Sequence, residues 1–314
     1  MDAGGAAGGA VATLWPHPRI RAPGDSELLP NRYGPFTYSP IIDRPPLRWP
    51  NGAGLAVWVV PNIEFFPLNE RITGEEPPLP NVFAWARRDY GNRIGVFRLM
   101  DVLSKRDIRA TVALNSEVCT EHPRIVERGC ELGWEFMGHC QSNVRPIHKM
   151  EAAEEKRVVA ATLDTIGSVT GVRPQGWLGS GGNESWHTLD HLAASGVRYV
   201  ADWINDDQPY EMNIEGRNIF SIPYSADIND TSQINRKNIT SEFFGRMIRR
   251  QCDVLLEEGQ TNGRVMCIAL HPWIIGQPHR IGDLADALDY LKSKAGVWFA
   301  TGQEIVDAYL KQRS

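Results

Sequence analysis

Short apolar runs of strand character alternate with helix-like segments about seven times along this chain, and no linker interrupts the series. GLAVWVV (54–60) is apolar and largely β-branched, as suits a strand buried on both faces. Strand-like runs recur at 108–114, 134–138, 175–179, 197–202, 218–224, 264–270 and 296–300. Between them, Ile94, Phe97, Met100 and Leu103 predict one stripe of an amphipathic helix over 92–106. Pro123 opens the next helix, which ends near Gly133, and a helix over 150–168 is stopped by Gly171. Trp186, Leu189 and Leu192 mark another, and two more are expected at 241–258 and 283–293. Thr301 with Glu304 predicts a capping box for the last helix. Such alternation demands a parallel α/β architecture, either a barrel or a wound sheet.

The 314 residues suffice for one large domain or two smaller ones, and nothing in the composition offers a place to cut residues 51–314. Residues 1–50 are rich in proline and glycine and lack periodicity, so they are expected to be a flexible tail and an extended arm. Thirty-three basic against thirty-eight acidic residues, with no basic stripe, argue against a nucleic-acid partner. No apolar run approaches the ~20 residues of a membrane span. Five cysteines without CxxC spacing fit neither a disulfide scaffold nor a cysteine metal cluster. With no secretory signal visible at the start, a cytoplasmic location is expected. The tripeptides at 183–185, 229–231 and 238–240 then match the glycosylation pattern by chance.

In parallel α/β folds functional groups gather at the C-terminal ends of strands. Applied here, that filter selects Asn62 and Glu64 after the first strand and His139 and Asn143 after 134–138. It selects Ser180 in the loop GSGGNE, and Asp202, Asp206 and Asp207 in DWINDDQPY. It also selects His271 and His279 in HPWIIGQPHR, two histidines around a Pro-bounded loop after a buried strand. Each has a plain structural alternative: a loop cap, an arginine partner or a turn whose aspartates bond backbone amides. GSGGN lacks the lysine and spacing of a nucleotide loop, and neither GxSxG nor HExxH occurs. Cys140 follows His139 directly, so strand alternation turns its thiol toward the packing side.

Taken in order, PNIE (61–64), His139-Cys140-Gln141-Ser142-Asn143, Arg173-Pro174 and Leu270-His271 resemble the motifs of the polysaccharide deacetylase (NodB-homology) superfamily. GWLGSGGNES, ADWINDDQPY and LHPWIIGQPHRI look like its allantoinase-like branch. The resemblance covers roughly 50–310 and implies a distorted (β/α)7-type barrel, as a single domain with an extended N-terminal arm. It also implies hydrolysis of carbon–nitrogen bonds other than peptide bonds. Two positions depart from the family pattern. Asn62 stands where many members carry the aspartate base, and Asn143 replaces the second metal-binding histidine. Glu64, His139 and Asn143 would then hold at most a weakly bound divalent metal, zinc being possible, or none.

On this resemblance, Glu64 orients or deprotonates a water, His139 acts as ligand or electrostatic partner, and His271 protonates the leaving nitrogen. Asn62 and Asn143 would donate hydrogen bonds to substrate, and Trp177, Trp203 and Trp273 would wall the pocket. Ser180, Asp206, Asp207 and His279 complete the expected substrate contacts. The substrate expected is a small cyclic amide or imide of allantoin or hydantoin type, handled by a homo-oligomer. The alternatives are a metal-dependent N-acetyl-carbohydrate deacetylase of carbohydrate metabolism and a non-catalytic binding protein on the same fold.

Overall fold

The computed structural model describes residues 34–72, 79–214 and 216–313; of the tail and arm expected over 1–50, residues 1–33 lie outside them. Nine strands form one sheet: β1 (Leu55–Ile63), β2 (Thr111–Leu114), β3 (Glu135–Gly138), β4 (Gly176–Trp177), β5 (Tyr199–Val200), β6 (Tyr210–Ile214), β7 (Arg217–Ser221), β8 (Arg264–Leu270) and β9 (Val297–Phe299). The helices are α1 (Val82–Tyr90), α2 (Val96–Ser104), α3 (Glu117–Glu121), α4 (Pro123–Glu131), α5 (Ala152–Thr170), α6 (Thr188–Ala194), α7 (Ser241–Gly259), α8 (Pro272–Ile275), α9 (Ile281–Lys292) and α10 (Gly302–Leu310).

β1 is buried throughout and organises the sheet. β8 pairs with it from Leu55↔Arg264 to Pro61↔Leu270, while β9 pairs with its first residues and β2 with its last two. The order is β6-β7-β5-β4-β3-β2-β1-β8, parallel everywhere except between β6 and β7. At the seam the chain returns to β8: Val265 N–H donates to Asp207 O (2.8 Å) and Ala269 N–H to Ile228 O (2.9 Å). The sheet thus curls into the expected distorted barrel, with seven parallel strands around the ring and β9 added against β1.

Strand alternation divides the core in two. Leu55, Val57 and Val59 face outward with helices α2, α7 and α9, whereas Ala56, Trp58 and Val60 join Met137, Leu178, Val265, Cys267 and Ala269 inside. Each aliphatic side chain buried this completely contributes about 1.5–3 kcal/mol. Capping follows the sequence: Thr301 and Glu304 form the reciprocal box, and Gly171 ends α5 at φ 77°.

Three local expectations need correction. The helix expected over 92–106 is α2 alone, entered through a π turn over Gly91–Gly95 that joins it to the preceding α1. The wider turn rotates the stripe, so Val96, Leu99, Met100 and Leu103 are buried while Ile94 and Phe97 are 43% and 38% exposed. Trp186 lies outside α6 and is exposed. The antiparallel β6 was not expected; its residues follow a loop rich in aspartate and asparagine that masks the strand signal.

The first described residues run along the barrel as extended chain with short 3-10 turns. Phe36 packs edge-on against Trp203 and Tyr210, and Pro35 O accepts the Asn213 N–H of β6 (2.7 Å). Arg44 pairs with Asp206, and buried Trp49 donates its indole N–H to Arg264 O (2.7 Å).

Candidate active site

The inward rows of the barrel continue past the strand ends into a cavity of about 570 Å³. Positions 56, 58 and 60 fill the barrel, so Asn62 and then Glu64 rise into the cavity floor; 267 and 269 lead likewise to His271, and 137 to His139. The three ionisable groups meet at one atom. Glu64 Oε1 lies 3.7 Å from His139 Nε2 and 3.9 Å from His271 Nε2.

Each member is held by its neighbours. His139 Nδ1 lies 2.6 Å from Leu178 O; a carbonyl only accepts, so the proton sits on Nδ1 and Nε2 faces Glu64. His271 Nδ1 lies 2.7 Å from Asp230 Oδ1, and Asp230 Oδ2 accepts the His271 backbone N–H (2.8 Å). Glu64 accepts a hydrogen bond from Asn143 Nδ2, and its backbone carbonyl accepts one from Asn92 in the π turn. Asn115 ties the two strand ends together, accepting the Phe65 N–H and donating to His139 O.

Electrostatics sorts the groups. Burial would raise Glu64, but hydrogen bonding to His139 and the charges of His271, His139 and Arg88 more than offset it and hold the carboxyl below its usual range. Burial would lower His271; the Asp230 carboxylate and Glu64 outweigh that, so its protonated form persists above the ordinary imidazole range. An ionised carboxylate beside a readily protonated imidazole is the pairing that acid–base chemistry requires.

Ser180 and Trp273 also line the cavity. Trp273 is flanked by the guanidinium groups of Arg87 and Arg88, 5.1 and 4.9 Å from its ring centre, and its indole N–H meets no acceptor among the described residues. Asn62 is committed elsewhere: its Nδ2 donates to Tyr224 Oη (2.9 Å) and Leu270 O (3.3 Å).

Five expected contacts lie elsewhere. Trp177 alternates outward and is buried with α5 and α6 residues, because its neighbours Gly176 and Leu178 take the inward positions. Trp203 packs on Phe36 and donates to Glu184 (3.2 Å). Asp206 pairs with Arg44 of the arm, and Asp207 bonds Val265 at the start of β8, whereas the cavity opens at its end. His279 is exposed and outside the lining. Cys140, in contrast, is buried on the packing side. The sequence reading missed Asp230, Arg88 and Tyr224 as lining or supporting groups. Asp230 was discoverable: the segment after 218–224 is also a strand end, and the filter was not extended to it.

Residues 88–200 match the family model described as polysaccharide deacetylase. Over that stretch the chain is similar to polysaccharide deacetylases. That stretch holds His139, Asn143, Ser180 and Arg88, while Glu64 and His271 flank it. A curated protein of Schizosaccharomyces pombe named "Putative polysaccharide deacetylase" is 25% identical over 83% of this chain and 92% of its own length. The solved structure of a "probable Polysaccharide deacetylase" from Pseudomonas aeruginosa superposes with a TM-score of 0.78 at 25% identity, covering 86% of this chain and 95% of that one. The structure titled PuuE allantoinase gives 0.77 at 25% identity, covering 85% and 94%. Over most of its length the chain is thus similar to proteins named as polysaccharide deacetylases and to one named as an allantoinase.

Glu64, His139 and Asn143 do not fit a zinc-type site as arranged. Asn143 turns its N–H donors, not its carbonyl, toward Glu64, leaving Asn143 Oδ1 without a partner. Among the described residues no three histidine, cysteine or acidic side chains are arranged so as to hold a metal ion.

Proposed function

We propose that this chain hydrolyses an amide or imide bond in a small cyclic substrate of allantoin or hydantoin type. The observation that carries the reading is the meeting of His139 Nε2 and His271 Nε2 on one Glu64 oxygen, inside a cavity sized for a small molecule. Glu64, anionic at neutral pH, accepts a hydrogen of the attacking water and orients its lone pair toward the carbonyl carbon. Glu64 takes the water's proton as the tetrahedral adduct forms, with His139, fixed by Leu178 O, turning its Nε2 to the same carboxylate as its electrostatic partner. His271, protonated against Asp230, delivers a proton to the leaving nitrogen. The free indole N–H of Trp273 is a donor available to the developing oxyanion; of the two amides assigned that task from sequence, Asn62 donates to Tyr224 and Leu270 and Asn143 gives an N–H to Glu64.

The small ring is preferred over a polymer because the reacting groups sit on the floor of a cavity sized for a small molecule, with Trp273 in its wall, and because allantoinase is among the structural relatives. A metal-dependent N-acetyl-carbohydrate deacetylase is the second reading, supported by the names of the other relatives. A cytoplasmic homo-oligomer belongs to the first reading, and light scattering of the purified chain tests the oligomer.

The decisive assay presents allantoin, hydantoin, succinimide and acetylated chito-oligosaccharides to the purified protein. Turnover of a cyclic amide is expected, with Glu64→Gln and His271→Ala each lowering kcat by about 10²-fold or more. Turnover of the sugars alone would transfer the site to the second reading. Turnover of none would leave a binding protein on a hydrolase fold.

A further inference from the structure

Tyr224 lines the cavity but has no task in the chemistry above. Phe220 and Ile222 belong to the inner core, so the two-residue period that carries β7 onward delivers Tyr224 to the cavity wall. Its ring is held in place. Trp58 packs on it edge-on, with ring centres 6.4 Å apart, and donates its indole N–H to the adjacent Pro223 O (2.9 Å). The hydroxyl end meets Asn62, which stands two residues before Glu64.

Asn62 can face only one way. Its Nδ2 lies 3.3 Å from Val60 O and 3.3 Å from Leu270 O, and carbonyl oxygens only accept, so the nitrogen stands on that side. Leu270 precedes His271, so Tyr224 Oη hangs on an amide set between the Glu64 and His271 strand ends. The amide meets that oxygen twice, through Nδ2 at 2.9 Å and through Oδ1 at 3.2 Å. Two bonds in so small a triangle would both bend and would crowd their hydrogens together. The shorter bond therefore fixes Oη, and the phenol's own hydrogen, on the longer one, is what a ligand can draw away. Burial, with Cys267, Asp230 and Glu64 nearby, pushes the hydroxyl well above the ordinary phenol range, so it keeps its hydrogen at neutral pH.

We propose that Tyr224 is a catalytic residue, the second donor, beside Trp273, to the oxyanion that forms when the ring carbonyl is attacked. Its O–H leaves Asn62 Oδ1 for the carbonyl oxygen, while the Asn62 N–H stays on Oη. That N–H polarises the phenol and strengthens it as a donor. Asn62 is then a positioning residue. A carboxylate in its place would keep the phenol's hydrogen for itself, whereas the amide gives it up. This assignment rests on the cyclic-amide reading of the cavity and adds a group that touches the reacting carbonyl.

The test pairs a change in the protein with a change in the ring. Hydantoin beside dithiohydantoin, and succinimide beside dithiosuccinimide, differ only in their carbonyl oxygens, and sulfur accepts hydrogen bonds poorly. The quantity read is the thio ratio, kcat/KM on the sulfur ring divided by kcat/KM on the oxygen ring. Tyr224→Phe keeps the aromatic ring on Trp58 and removes the hydroxyl. It should lower kcat on the oxygen ring by about 10²-fold with KM within about threefold, and raise the thio ratio about tenfold or more. Asn62→Ala, which lets the phenol swing, should move kcat and the ratio in the same directions by about tenfold or less. It carries the comparison should Tyr224→Phe fold poorly by circular dichroism. An unmoved kcat, or equal falls on a ring and its sulfur counterpart, would overturn the proposal while the cyclic-amide reading stands. Turnover of no cyclic amide by the wild type would remove both.

Discussion

At the scale of single residues, the site depends on what Asp230 does to His271. The aspartate holds the imidazole's proton to higher pH than usual, so the acid form is present at low pH and is lost as pH rises through the elevated value. Asp230→Asn keeps an oxygen for the His271 Nδ1–H but removes the charge. The alkaline limb of kcat/KM should then move to lower pH by about one unit or more. A pH–rate profile of the two proteins reads this directly, and an unmoved limb would show that another group supplies the proton. Much of this site was legible in the sequence, because strand-end position is a strong filter: it found Glu64, His139, Asn143, Ser180 and His271, all of which line the cavity. Its errors share a cause. Choosing every polar or aromatic residue near a strand end ignores alternation, which sends Trp177 outward between Gly176 and Leu178. It also ignores where a loop goes next, and the segment holding Asp206 and Asp207 leaves the cavity for the start of β8. Arg88 was invisible for a different reason: it comes from the helix α1 rather than from a strand end, and it stands at the cavity packed on Phe66 and Trp273.

At the scale of elements, the π turn between α1 and α2 is the joint on which the His271 end of the site rests. A Cβ on Gly95 would lie 2.2 Å from Pro272 O, and one on Gly91 would lie 2.6 Å from Trp273 N. The two glycines therefore let α8 press directly on the turn, and His271 and Trp273 are at the start of that short helix. Gly95→Ala is expected to cost about 1–3 kcal/mol by overpacking and to lower turnover as α8 is pushed away. Urea denaturation and kcat check the two effects separately. Unchanged values for both would mean that the contact is soft. Long periodic helices such as α5, α7 and α9 were legible to within about two residues, because their stripes and caps are local signals. The π turn was not, since its periodicity shift becomes meaningful only once α8 is known to lie against it. β4 and β5, two residues each, owe their pairing to the barrel rather than to their own composition.

At the scale of the whole molecule, barrel closure turns residues separated by much of the chain into one reacting group. It also decides how that group treats metal. Because Asn143 points donors at Glu64, exhaustive dialysis against a chelator should leave turnover of the cyclic substrate within about twofold, and added zinc should not raise it. Loss of activity on chelation, restored by zinc, would show that the amide flips to present its carbonyl. The arm acts at this scale too. Its Pro35 carbonyl takes the Asn213 N–H of β6, a terminal strand of the sheet, and Phe36 covers the adjoining rings. An unguarded strand border is where copies of a protein stick to one another. Since ribosomes make the arm long before β6, the guard is already waiting when the vulnerable strand emerges. Trimming it would be felt first as clumping during production, ahead of any change in the finished molecule's chemistry.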